Sequence, residues 1–474
     1  MSKKIVIEPV TRLEGHGKVT IHLNDRGNVD RAKFHVTQIR GFEKFCEGRL
    51  FWEMPVITPR ICGICPVSHH LASAKAGDAI LGVKLTPTAE KLRRLIHMAQ
   101  YVQSHALHFF HLASPDLLLG MDADPAKRNI IGIIAEMPEI AKRGVRLRAF
   151  GQKIIEAMGE KKVHPNAAIP GGMNKALPPE KRGEILEQID EVIADGQLAI
   201  DLFKEYCARD RGVVASFANF KSAYLGLVDH RENVEYYDGK LRLKDRDGFT
   251  LEDGVAPEDY LSIIEERVED WSYLKFPYYK KLGYPGGMYR VGPLGRLNVA
   301  DGCDTPLADK EFSEFKALGD RGVVAGSLYY HYARLIEMLN CAEKIKSLVQ
   351  DETICGQDIW VDSNRINEEG IGVIEAPRGT LFHHYWVDRG GRIRKANLIV
   401  ATGHNNLAMN RAVYEVAREF IHDGQISEGI LNRVEIAIRC YDPCLSCSSH
   451  ALGHMPLEIA IYEPDSSIRE VLRS

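Results

Sequence analysis

The chain opens on alternating apolar and polar positions. KKIVIEPV (3–10), KVTIHL (18–23) and AKFHV (32–36) carry a hydrophobic side chain at about every second residue, separated by Gly and Asn/Asp turns. That period of two predicts a short antiparallel sheet. From Thr86 the period lengthens. In TPTAEKLRRLIHMAQYVQSHALHFFHLA, residues Leu92, Leu95, Ile96, Ala99, Val102, Ala106 and Phe109 fall near helical spacing behind a Thr-Pro start. This predicts a long, mostly buried helix. Further helices are predicted over 125–159 with an interruption near Pro138, over 179–210 and over 327–351. Residues 211–310 are richer in Gly, Pro, Tyr and charge, with turn signals at 237–240 and 284–287, and read as an irregular excursion rather than a separate domain. Strand patterns return at 370–377, 380–388 and 396–402, followed by a helix over 405–424. The pattern as a whole predicts a mainly α protein of the α+β class, with a small N-terminal antiparallel sheet and C-terminal strands.

Length and composition set limits. At roughly 150 residues per domain, the 474 residues allow about three ordinary domains or one large body. Lys and Arg number 61 against 65 Asp and Glu, a net charge of −4, and no basic run marks a surface for nucleic acid or anionic membrane. The N-terminal MSKKIVIEPVTRLEGHG lacks the apolar core of a signal peptide. No apolar run reaches the length of about 18 residues that a membrane span needs. A cytoplasmic protein with reduced thiols is expected.

Ten cysteines are too few for a disulfide scaffold but enough for a metal or redox site. Two CxxC pairs lie near opposite ends of the chain, Cys62 and Cys65 in RICGIC and Cys444 and Cys447 in DPCLSC. Spacing of this kind lets both sulfurs of a pair face one metal, and four thiolates are soft anionic ligands suited to zinc, iron or nickel. A structural zinc site and inert buried cysteines are the competing readings of the pairs alone. Zinc ribbons, however, join their pairs through about 15 to 20 residues, whereas nearly the whole chain separates these two.

The flanking residues are more restrictive. PVTRLEGHG (9–17), RGFEKFCEGR (40–49), RICGIC (60–65), EAPRGTLFHH (375–384) and DPCLSCSSH (442–450) occur together and in order. With these motifs the sequence resembles the large subunits of [NiFe]-hydrogenases over essentially its full length. The similarity is greatest to the cytoplasmic, bidirectional NAD-reducing (Hox-type) group. The resemblance implies a long-helix bundle around a buried metal site.

It also implies roles. Cys62 and Cys444 would be terminal nickel ligands, and Cys65 and Cys447 would bridge nickel to an iron that carries one carbon monoxide and two cyanides. Splitting H2 into hydride and proton needs a Lewis acid with a base beside it. By resemblance Cys444 accepts the proton and Glu14 relays it, although Glu14 taken alone is an ordinary solvated turn residue. Arg378 would hang over the metals beside Pro377, oriented by Asp442, although Pro-Arg-Gly alone is a turn with an exposed cation. The position that often carries a carboxylate before an H-x-x-H segment is here Ser104, leaving Arg378 one anionic partner fewer. His69 would tune a thiolate, while His97, His105, His108 and His111 are read as core or surface residues without chemistry. Glu43, otherwise a surface helix residue, and His450 resemble a pair that holds magnesium or a similar ion.

The resemblance also implies partners, a small iron-sulfur hydrogenase subunit and flavin-containing diaphorase subunits that carry the iron-sulfur clusters and FMN and meet NAD. The chain itself has no GxGxxG fingerprint, and Cys46, Cys207, Cys303, Cys341, Cys355 and Cys440 lack cluster spacing, so neither NAD nor a cluster is expected on it. The family pattern divides the chain into a catalytic body, 1–450, and a tail, 451–474, which a maturation endopeptidase removes after His450 once nickel-insertion proteins have acted. An ordinary C-terminal strand is the other reading of that tail. A deazaflavin- or heterodisulfide-coupled cytoplasmic hydrogenase is the alternative within the family. A nickel-free respiratory relative is the alternative outside it, and that class lacks the cysteine pairs.

Overall fold

In a computed structural model the chain is described over residues 4–450 and over the strands Glu458–Tyr462 and Ile468–Arg473. The opening alternation forms a three-stranded antiparallel sheet, Lys4–Ile7, Gly17–Leu23 and Val29–Val36, with Gly17–Leu23 at its centre. Val19 faces Phe34 across the central pair, and both are fully buried. One face of this sheet thus seals the core next to the loop that carries Glu14.

The long helix runs over Pro87–Leu107. Thr86 caps it, its Oγ1 accepting from the Ala89 N–H at 3.1 Å, and Pro87 sits where the missing amide costs nothing. Past Leu107 the helix widens into π-type turns over His108–Ala113 and Pro115–Leu119. Such widening is frequent at functional sites. Beside it lies the helix Pro138–Gly159, preceded by Ile130–Glu136, with the break at Met137 before Pro138. The two long helices approach closely because Gly151 has no side chain; a Cβ there would lie 2.4 Å from the Ala99 carbonyl oxygen. Pro179–Arg209 and Tyr329–Gln350 complete the bundle.

The helix Pro66–Leu81, which the periodicity did not mark, starts immediately after Cys65. It lies on the strand Glu369–Ala376, where a Cβ at Gly372 would meet the Ala72 carbonyl oxygen at 2.0 Å. That strand pairs with Gly379–Val387, which in turn pairs with Ile393–Ile399. Ala376 faces Gly379, so Pro377 and Arg378 are the two turn residues. Gly379 has φ of +139°, and a Cβ would strike Val291 at 2.2 Å, so only glycine fits there.

Residues 211–310 correct the expectation of an irregular excursion. They hold a four-stranded sheet in the order Tyr289–Arg290, Ala223–Val228, Lys240–Lys244 and Thr250–Val255, a separate pair Ile264–Arg267 and Phe276–Tyr279, and the helix Gly292–Val299. The strands have two to six residues each, too short for a period to stand out between Gly and Pro turns. Leu225, Leu241, Tyr260 and Tyr289 share a buried cluster with Val373 and Phe382, which joins this region to the hairpin bearing Arg378. Toward the C-terminus, Asn406–Phe420 is followed by the helix Glu428–Arg439, which leads into the second cysteine pair. Within the expected cleavable tail 451–474, Glu458–Tyr462 and Ile468–Arg473 pair as an antiparallel hairpin, while 451–457, which would begin at the cut after His450, lie outside the described residues. Among the described residues no helix is long and apolar enough to cross a membrane.

Candidate metal centre

The first cysteine pair is set by local backbone. Cys62 ends the 3-10 turn Thr58–Ile61, and Cys65 precedes the first turn of the helix Pro66–Leu81. Cys62 Sγ accepts from the N–H groups of Ile64 and Cys65 at 3.2 and 3.4 Å. The long helix holds the intervening loop, with Gln100 and Gln103 donating to the Ile64 carbonyl at 3.0 and 2.9 Å. The second pair follows Asp442, whose φ of +52° turns the chain sharply after the last long helix. The Cys444 N–H donates to Thr402 Oγ1 at 3.0 Å.

All four sulfurs lie within 4.8 Å of one another and are buried. Cys62 and Cys444 are 3.1 Å apart, Cys65 and Cys447 3.8 Å, and Cys444 and Cys447 2.6 Å. Such crowding makes the thiols share protons unequally. Hydrogen bonds from its neighbours, Cys444 first, pull Cys62 well below the usual thiol value, whereas burial pushes Cys444 and Cys447 well above it. Four thiolates this close can all ionise only around a cation. A small, narrow cavity adjoins them, lined by Cys65, Cys444, Cys447, Arg378 and apolar residues including Leu381 and Val400. Four soft donors beside a mostly apolar cleft under a guanidinium fit a thiolate-bound metal.

Arg378 is buried over this cavity rather than exposed. Its Nε donates to the Asp442 carbonyl oxygen at 2.6 Å, Nη2 pairs with Asp442 Oδ2 at 2.9 Å and Nη1 donates to Ser104 Oγ at 3.2 Å. Ser104 thus meets Arg378 as a neutral partner. Burial alone would raise the Asp442 carboxyl, but Arg378 and then His108 hold it well below the usual carboxylate range. Pro377 also lies at the turn; its carbonyl accepts from the buried Arg296 at 3.0 Å, and Arg296 is paired with Glu337 and Glu375.

Glu14 reaches the cluster from the N-terminal sheet. Its Oε2 accepts from Cys444 Sγ at 3.1 Å and from the Ser446 N–H at 3.0 Å, and its carbonyl accepts from the Leu445 N–H at 3.0 Å. His69 lines the same cavity. Its Nδ1 pairs with His383 Nε2 at 3.0 Å, its Nε2 has no protein partner, and burial pulls the ring down to about 4. Glu43 and His450 are less closely knit. Glu43 accepts from the Leu398 N–H at 2.9 Å, and His450 packs edge-on to Phe42 and bonds the Cys447 carbonyl. Among the described residues the four cysteines form the one group of three or more side chains placed to hold a metal, and it includes neither of these.

The structure adds residues that sequence reasoning left out. His108 pairs with Asp442 Oδ1 at 3.0 Å while stacking on His331, so it does orient the site. Its place three residues after His105 was visible, but its partner lies at the other end of the chain. Thr402, Ser446, Gln100 and Gln103 carry no motif of their own.

A buried four-cysteine centre joining the two ends of an α+β chain, under a buried arginine and beside a carboxylate, defines a thiolate metalloenzyme. Comparison with known proteins gives the family. Residues 40–137 and 227–450 match the nickel-dependent hydrogenase family, and residues 4–39 match a HoxL-like family. The chain is 46% identical to the NAD-reducing hydrogenase HoxS subunit beta of Cupriavidus necator, over 98% of each chain. It is 43% identical to a chain of the vhc F420-non-reducing hydrogenase of Methanococcus voltae, over 97% of each. A solved NAD+-reducing [NiFe]-hydrogenase in the H2-reduced state superposes with a TM-score of 0.92 at 46% identity, covering 94% of this chain and 99% of the other. The chain belongs to the nickel-dependent hydrogenase family.

Proposed function

We propose that this chain is the catalytic large subunit of a cytoplasmic NAD-reducing [NiFe]-hydrogenase that splits H2 reversibly. The observation that carries the reading is the cluster of four buried sulfurs with Glu14 at 3.1 Å from Cys444 Sγ. Cys62, Cys65, Cys444 and Cys447 would hold nickel, and Cys65 and Cys447 would also hold the iron with its carbon monoxide and two cyanides. When bound, the metal pair supplies the Lewis acidity that makes H2 acidic enough for a thiolate base. Cys444 Sγ takes up the proton and passes it to Glu14 Oε2, which the Ser446 N–H keeps in place. Arg378, fixed by Asp442, offsets the thiolate charge and would offer N–H donors to the cyanides. His69 keeps a neutral ring, with an unpartnered Nε2 that would be available to a cysteine sulfur of the cavity it lines.

Electrons leave through a small iron-sulfur subunit, then through flavin-bearing diaphorase subunits, which carry FMN and meet NAD. Glu43 and His450 would supply a carboxylate oxygen and an imidazole nitrogen to a magnesium or similar ion. Residues 1–450 act as one catalytic body, and 451–474 are cut away after His450 by a maturation endopeptidase following nickel insertion.

The deciding experiment is metal analysis with infrared spectroscopy on the complex produced with its maturation proteins, followed by assay of electron acceptors. One nickel and one iron per chain, carbon monoxide and cyanide bands, and H2-dependent NAD reduction are expected. One zinc without those bands sinks the metal assignment. Bands with reduction of a heterodisulfide or deazaflavin partner instead of NAD select the second reading, which stands behind the first because the 46% identity is to a NAD-reducing chain and the 43% identity to an F420-non-reducing one.

A further inference from the structure

Away from the cysteines, the described residues hold a second buried cluster of charge that the chemistry above leaves unused. Asp116 lies on the π-type turn Pro115–Leu119, is 2% exposed and faces three guanidinium groups. Arg12 Nη2 is 2.5 Å from its Oδ1, Arg128 Nε is 3.6 Å from the same oxygen, and Arg439 Nη1 bonds its Oδ2. Asn432 Nδ2 adds a hydrogen bond at 3.2 Å.

The arms of this cluster end on the two halves of the proton path. Arg12 stands two residues before Glu14 and has φ of +55°, a left-handed conformation that costs a non-glycine residue free energy and persists only where the surroundings impose it. Here its side chain is tied to Asp116 and, through Nη1, to the Leu112 carbonyl at 3.0 Å. Arg439 ends the helix Glu428–Arg439, five residues before Cys444. It also reaches back to the loop, with Nε donating to the Thr11 carbonyl at 3.2 Å, while Thr11 Oγ1 donates to Glu435 at 2.5 Å. Glu14 and Cys444 then meet as a parallel backbone bridge. Their registry is set where Arg12 and Arg439 converge on one carboxylate.

We propose that Asp116 is a positioning residue of the proton relay, holding the loop of Glu14 against the segment of Cys444 through Arg12 and Arg439. The assignment rests on the relay reading given under Proposed function. It adds that the 3.1 Å step from Cys444 to Glu14 is maintained by a buried ionic clamp that includes none of the four cysteines.

The test uses Asp116→Asn in the assembled, metal-loaded enzyme. Nickel, iron and the infrared bands should be unchanged. H2/D2O exchange, which needs protons to leave the site, should slow at least tenfold, while para-to-ortho H2 conversion, which does not, stays within threefold. Backbone amide exchange at Leu445 and Ser446, both bonded to Glu14, should quicken at least tenfold by mass spectrometry. H2/D2O exchange within twofold of the unaltered enzyme, with amide protection intact, overturns the proposal. If Asp116→Asn fails to load metal, Arg12→Gln carries the same measurements with the same consequences. Glu14→Gln separates the two levels: if it exchanges normally the relay itself falls, while the amide measurement on Asp116→Asn still decides the positioning.

Discussion

Arg378 shows how context reverses the usual meaning of a residue. In a Pro-Arg-Gly turn a guanidinium ordinarily faces water, yet this one is 3% exposed and has all three nitrogens engaged. A fork of that shape is not reproduced by an ammonium group. Arg378→Lys should therefore keep both metals but lower H2 turnover about 10- to 100-fold, checked by metal content against rate. Glu14→Gln keeps the shape and loses the basic oxygen, so it should retain metals and infrared bands while proton-coupled turnover falls to a few per cent; near-normal H2/D2O exchange would rule out the relay. At this scale the cysteines and Glu14 were legible because their motifs are local. His108 and Thr402 were not, since each acts on a partner more than forty residues away in sequence, and an isolated histidine or threonine is usually just packed.

Between elements, glycines decide how near the site's supports can come. The helix Pro66–Leu81 rests on the strand Glu369–Ala376 through Gly370 and Gly372, where added Cβ atoms would lie 2.3 and 2.0 Å from carbonyl oxygens. The helix begins at the first cysteine pair and the strand ends two residues before Arg378, so prying them apart moves both. Gly372→Ala should cost about 1–3 kcal/mol or more from overpacking and lower nickel retention, measured as metal per chain and thermal midpoint. The amphipathic helices were legible from their periods, Pro179–Arg209 and Tyr329–Gln350 falling within two residues of expectation. Pro66–Leu81 escaped because nearly every side chain in it is buried, which erases the polar face that marks a helix. The 223–255 sheet escaped for the opposite reason, strands too brief to establish alternation.

Across the whole molecule, burial of imidazoles gives the fold a directional response to acid. Burial lowers His70 and His105 to about 4, and His97 and His404 to about 3. His70 shows why: Nδ1 donates to the Pro55 carbonyl at 2.6 Å, and Nε2 accepts from Ala167 and Ala168 N–H at 3.1 and 2.7 Å, so a second proton has no place. Unfolded histidines titrate near 6.5. Between pH 6.5 and 4 the unfolded chain therefore binds protons that the native chain refuses. The stabilisation is fully present above about pH 7 and is lost as pH falls, each such histidine contributing ~1.4 kcal/mol per pH unit. The thermal midpoint should be nearly flat from pH 7 to 8 and drop steeply below 6; a midpoint that rises on acidification would contradict this. The meeting of the two cysteine pairs has a consequence of another kind. A ribosome delivers Cys62 and Cys65 when most of the bundle does not yet exist, and Cys444 and Cys447 only after nearly all of it does. The metal is therefore the last fastening rather than the first seed. Closing so long a loop removes about 6 kcal/mol of freedom from the unfolded chain, so a chelator should release first the outermost pieces it clasps, the N-terminal sheet and the final helix, and only later the helices between them.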